Sequence, residues 1–163
     1  MIILLVMMEI VYRKATEQDI PGIVELWEAF MDFHKARDPF FSRSRQGSGN
    51  FGKFILENIN KDDAVVYVAE ANGAVVAHIL ASIQNYPPVF EIRKYGLIND
   101  LAVTSGYRRK GIGEHLFGLA REWFAEKGMQ RIEIEVATSN EVSTSFWEKM
   151  AFKPYIEVRY LEL

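Results

Sequence analysis

The chain has 163 residues, 49% of them hydrophobic and 25% charged, with a formal net charge of -3 and no cysteine. This length suits one packed domain, and the balance of apolar and charged residues excludes a largely disordered chain. Without cysteine there are no disulfides, thiolate metal sites or cysteine nucleophile, a composition compatible with a reducing cytoplasm, and the net negative charge gives no overall attraction to nucleic acid.

Met1 to Met8 form an apolar run with no Lys or Arg before it. It is far shorter than the roughly 20 residues of a membrane-spanning helix, so no membrane association is expected. Residues 1–8 read as an extension with a mis-assigned start, Met8 being the alternative, ahead of a single domain over residues 9–163. Alternating Ile10 and Tyr12 predict a strand over residues 9–14. Thr16 to Asp19, followed by Pro21, then reads as a helix start. That helix should carry Ile20, Ile23, Val24, Trp27, Phe30 and Met31 on one face and end before Asp38-Pro39. Residues 42–50, rich in Ser, Gly and Arg, read as a flexible loop that is either a substrate lid or an ordinary solvated connection. A short helix follows over residues 51–59.

Two β-rich runs, residues 64–70 and 74–84, flank Asn72-Gly73, whose backbone preferences suit a tight hairpin. Asn85-Tyr86-Pro87-Pro88 must break the second run, because proline removes ladder donors. The sequence LINDLAV, residues 97–103, is mostly apolar and predicts a strand covered on both faces. Residues 111–127 then show helical spacing through Leu116, Leu119, Ala120, Trp123 and Phe124, with Gly128 ending the helix. Ile132, Ile134 and Val136 predict a strand over residues 132–136, residues 140–150 a short helix, and residues 152–163 a return to β pattern. The order implies one α/β (α+β) domain whose mixed, mostly antiparallel central sheet is flanked by helices.

The chemistry concentrates in residues 97–117, where an apolar strand passes through a basic, glycine-bearing turn into an amphipathic helix. A helix N-terminus offers unpaired N–H groups and partial positive charge, and Gly111 and Gly113 would let a phosphate approach the backbone. Arg108, Arg109 and Lys110 add local charge. Neither the nucleotide-triphosphate loop nor the dinucleotide fingerprint is present.

Arg108-x-x-Gly111-x-Gly113, placed after LAV and opening a helix, resembles the Gln/Arg-x-x-Gly-x-Gly/Ala signature of the GNAT acetyltransferases. Residues 137–152, with Asn140, Ser143, Phe146 and Phe152, resemble that superfamily's second segment. The resemblance runs from about Glu9 to the C-terminus and implies a GNAT-like acyl-CoA N-acyltransferase fold with acetyl-CoA as co-substrate and no metal. It places the coenzyme A pyrophosphate on the backbone of Arg109, Lys110, Gly111, Ile112 and Gly113, beside Arg108. The pantetheine arm would run along Leu101, Ala102 and Val103, completing an interrupted sheet. Asn140 would contact the cofactor near its thiol end, or serve only as a helix cap.

The implied activity is direct attack by a primary amine of a small molecule or peptide on the acetyl thioester. Asp100, which interrupts an apolar strand, is the first candidate base and Glu135 the second, although Glu133 and Glu135 also fit a solvated strand face. Asn99 falls where some relatives carry a carboxylate. Trp147 stands where many members carry a tyrosine acid, and its indole is no proton donor at neutral pH, which leaves Tyr155 and Tyr160 as acid candidates. The same departure motivates the alternative, a non-catalytic acyl-CoA sensor. His78 is read as a substrate contact or a satisfied core residue, and His34 and His115 lack metal-ligand spacing. Glu25, Glu28 and Asp32 would attract a cationic amine or form an exposed helix face. The Tyr107–Lys110 run lacks the interleaved aromatics of a nucleic-acid surface. A homodimer is the expected assembly.

Overall fold

The computed structural model describes residues 9–163, so the apolar run 1–8 lies outside the described residues. The alternating segment after Glu9 forms β1 (Ile10–Lys14), and the runs around Asn72-Gly73 form β2 (Ala64–Ala71) and β3 (Ala74–Asn85). Both turn residues take positive φ, 51° at Asn72 and 78° at Gly73, as a tight hairpin requires. With β4 (Lys94–Val103) and β5 (Ile132–Ile134) these strands make one sheet in the order β1-β2-β3-β4-β5. Neighbours are antiparallel up to β4, and β5 runs parallel to β4, which is the mixed, mostly antiparallel sheet expected from the sequence.

Four helices flank this sheet: α1 (Ile20–Lys35), α2 (Gly47–Ile59), α3 (Ile112–Glu126) and α4 (Glu141–Lys149). Alternation along the strands divides the core in two. On one face Ile79 and Ile98 pack with Leu116, Ala120, Phe124 and Trp147. On the other Val68 and Leu80 pack with Ile23 and Ile55. The entry to α1 is fixed by charge: Thr16 N and Oγ1 donate to Asp19 at 2.7 and 3.1 Å. Arg13 donates to the same carboxylate at 2.7 and 2.8 Å and to Glu70 at 2.6 Å.

Three expectations change. Helix α2 starts at Gly47 rather than at residue 51, because contacts with α1 hold a glycine-rich stretch that has little helix propensity of its own. Trp27 stacks on Phe51 with ring centroids 4.6 Å apart, and the Ser48 hydroxyl donates to Glu28. Strand β4 is not covered on both faces: Asn99 is exposed and Asp100 only partly buried. Residues 152–163 carry β pattern but form no strand, since β5 is only three residues long and Ile156, Val158, Tyr160 and Leu161 find no apolar face to cover. Among the described residues, no helix is long and apolar enough to cross a membrane.

Candidate functional site

Strands β4 and β5 pair only at Gly96↔Ile132, Leu97↔Glu133 and Ile98↔Ile134. Beyond Ile98, β4 continues to Val103 with β3 on one side and, among the described residues, no strand on the other. Leu101, Ala102 and Val103 therefore line a gap whose main-chain groups are open to an extended ligand.

The gap leads into the turn before α3. Arg109 and Gly111 take φ of 59° and 78°. Positive φ alternating with ordinary backbone turns successive N–H groups toward one side, an anion-binding arrangement placed here directly ahead of a helix N-terminus. A Cβ on Gly111 would meet nothing within 4 Å, so this glycine answers a dihedral requirement rather than a steric one. Arg108 is committed differently: its Nε donates to Val103 O at 3.0 Å and closes the end of β4. Lys110 Nζ lies 5.1 Å from the Tyr107 ring centroid. The Arg109–Gly113 backbone thus presents a turn open to an anion, with Arg108 holding the strand end beside it.

A polar cluster lies on the α1–α2 side of β4. Leu80 pairs with Asp100 but Ala81 pairs with Ile98, so Asn99 is an extra residue in a bulge. In consequence Asn99 and Asp100 share a face. Asn99 Oδ1 accepts from Ser82 Oγ at 2.7 Å, and Asp100 Oδ2 lies 2.7 Å from His78 Nε2. His78 is fully buried and the Asp100 side chain is 9% exposed. The last turn of α1 brings in His34 and the start of α4 brings in Asn140, both buried. Asn140 Oδ1 accepts from Ser143 N at 3.1 Å, which leaves its amide Nδ2 facing His34 Nε2 at 3.3 Å. His34 Nε2 is then the acceptor, and its proton sits on Nδ1, a buried atom without a partner. Burial, and next the charge of Arg37, lower the His34 pKa from 6.5 against the opposing charge of Asp100. His34 is accordingly a neutral imidazole at pH 7.

The other candidates separate by place. Glu135 lies beyond the end of β5, exposed, and none of the described hydrogen bonds or ion pairs involves it. Glu133 instead accepts from Tyr86 Oη, from Arg131 Nε at 2.7 Å and from Tyr155 Oη at 2.9 Å. Burial would raise its pKa, but these hydrogen bonds outweigh burial and hold it below the usual carboxylate range. Tyr155 is thereby committed to Glu133, Tyr160 is exposed, and Trp147 is buried among Phe117, Phe146 and Phe152. His115 stacks on Tyr12 at 3.8 Å. Glu28 and Asp32 are held by Arg43 at 3.3 and 2.9 Å. No group of three or more metal-ligating side chains occurs among the described residues. Sequence reasoning did not place His34 in the site and did not pair His78 with Asp100. Neither spacing nor composition signals the bulge that turns Asp100 to His78, nor the packing of α1 against the start of α4 that brings His34 to Asn140.

Comparison with known proteins agrees with this geometry. A model of the acetyltransferase (GNAT) family matches residues 23–152. The uncharacterized N-acetyltransferase MJ1207 of Methanocaldococcus jannaschii is 23% identical, over 86% of this chain and 59% of that protein. Streptothricin acetyltransferase A of Bacillus subtilis is 31% identical, over 74% of this chain and 78% of that protein. Among solved structures, a mutant BH1408 protein from Bacillus halodurans matches with a TM-score of 0.83 at 21% identity, over 94% of this chain and 99% of that one. Aminoglycoside N-acetyltransferase AAC(6')-Iy in complex with CoA matches with a TM-score of 0.72 at 16% identity, over 96% and 95%. The family match spans most of the chain, including the gap beside β4, the turn before α3 and Asn140, and the chain therefore belongs to the GNAT acetyltransferase family.

Proposed function

We propose that residues 9–163 act as one domain that transfers the acetyl group of acetyl-CoA to a primary amine of a small molecule or peptide, with Asp100 accepting the amine proton. The observation that carries this reading is the open stretch of β4 running into the Arg109–Gly113 turn, with a buried carboxylate on the same strand. Acetyl-CoA, when bound, supplies an activated acetyl thioester. The chain's own residues do the rest. The main chain of Leu101, Ala102 and Val103 orients an extended ligand, the Arg109–Gly113 N–H groups hold its phosphates, and Asn140 fixes the mouth of α4 against His34. Asp100, removed from water, takes a proton from the incoming ammonium group so that its nitrogen lone pair is free.

A relative named for streptothricin supports a small-molecule acceptor. The absence of cysteine supports a cytoplasmic location. A homodimer is supported by the exposed Ile156, Val158, Tyr160 and Leu161 of a C-terminal segment that forms no strand, which a second copy would cover.

The deciding experiment is thiol release from acetyl-CoA with a panel of polyamines, amino acids, aminoglycosides and short peptides, alongside calorimetric binding of the cofactor. Acceptor-dependent release is the expected result. Absence of coenzyme A binding would overturn the phosphate site, whereas binding without release from any amine would point to a sensor.

A further inference from the structure

We propose that His78 is the positioning residue for Asp100: its imidazole holds one carboxylate oxygen and leaves the other to the acceptor amine. The inference rests on the reading of Asp100 as proton acceptor.

The geometry of the strands carries it. In a regular strand Asp100 would share a face with Ile98, which packs in the apolar core against α3. The extra residue Asn99 reverses the alternation, so that Leu101 and Val103 take over that apolar face and Asp100 turns toward His78. His78 pairs with Ala102 and Leu80 with Asp100, so the imidazole and the carboxylate are diagonal neighbours, 2.7 Å apart at Nε2 and Oδ2. Asp100 Oδ1 has no hydrogen bond among the described contacts.

A purely structural role accounts poorly for this pair. Strand β3 is otherwise apolar around His78, and an apolar side chain there would pack without desolvating polar groups. The other ring nitrogen, Nδ1, is buried and has no partner, although structural histidines ordinarily satisfy both nitrogens. An ionised Asp100 makes Nε2 the donor and leaves Nδ1 a bare acceptor, the cheaper nitrogen to leave unpaired. The groups facing the pair are few. From α1 comes His34, on which the charges of both Asp100 and Arg37 act, and α2 brings the Phe51 ring, 6.4 Å from His78 between centroids. During turnover the acceptor's N–H bond breaks and an O–H bond forms on Asp100 Oδ1, while Oδ2 keeps its contact with His78 Nε2.

The test compares wild type with His78→Leu, His78→Gln and Asp100→Asn, all checked for folding by circular dichroism. In His78→Leu the carboxylate loses the group that fixes its orientation, and kcat should fall roughly tenfold. Coenzyme A affinity by calorimetry should stay unchanged, and His78→Gln, which keeps a donor, should recover part of the lost rate. Independently of activity, 15N NMR of the imidazoles should show His78 protonated on Nε2 in wild type and altered in Asp100→Asn. This measurement stands even if His78→Leu does not fold. A folded His78→Leu with wild-type kcat, or an Nδ1-protonated His78 in wild type, would overturn the proposal. Full activity in Asp100→Asn would instead remove the reading of Asp100 itself.

Discussion

Asp100 and His34 show what single buried groups ask of this fold. Asp100→Asn keeps the shape of the side chain and removes its basicity, so kcat for acetyl transfer should drop by about 10²-fold or more at unchanged coenzyme A affinity, read by thiol release and calorimetry. His34 makes a stability prediction. Its imidazole is held neutral in the folded protein, while the unfolded chain takes up the proton near the ordinary value of 6.5. The group's contribution is therefore fully present above pH 6.5 and is lost as the pH falls toward the depressed folded value. Denaturant titrations should show stability falling over that window, and the fall should be shallower in His34→Gln. At this scale the sequence was only partly legible. Asp100 stood out as a carboxylate in an apolar strand, whereas Glu135, the second candidate, rested on alternation that also fits a solvated face, and β5 ends before it.

Elements impose a different demand, set by backbone shape and close approach. At Gly111 the φ of 78° is the requirement, and an L side chain there is strained by about 1 kcal/mol. Gly111→Ala should weaken coenzyme A binding in calorimetry by distorting the turn, with a smaller loss of stability. Gly96 works the other way. An added Cβ would lie 2.5 Å from the Phe124 ring, which is fully buried, so Gly96→Ala must push β4 and α3 apart. Its expected cost in a denaturation experiment is about 1–3 kcal/mol, with the anion-binding turn left intact. Ala151 takes φ of 69° and bears the strain that Gly111 avoids. Helices α1 and α3, the hairpin and strands β1 to β4 were legible from periodicity, because α3 and β3 carry patterns that only one secondary structure can bury, whereas the β pattern of residues 152–163 forms no strand. The start of α2 was not, because Gly47, Ser48 and Gly49 become helical only through Trp27 and Glu28 of a neighbouring helix.

For the molecule as a whole, the exposed C-terminal segment supports the proposed dimer. Val158, Tyr160 and Leu161 are each more than four-fifths exposed, more apolar surface than one edge segment ordinarily leaves to water. Sedimentation should find a dimer, and removal of residues 156–163 should shift it toward monomer while coenzyme A binding persists. The sequence by itself determined the fold class and the family signature, because glycine placement, basic residues and hydrophobic period are local properties that survive without neighbours. Only the tertiary structure decided which polar groups meet. One extra residue at Asn99 reverses a strand's alternation and sends Asp100 to His78 instead of into the core, and contacts over long sequence separations bring His34 to Asn140. Such pairings depend on register and helix packing, which no local pattern specifies.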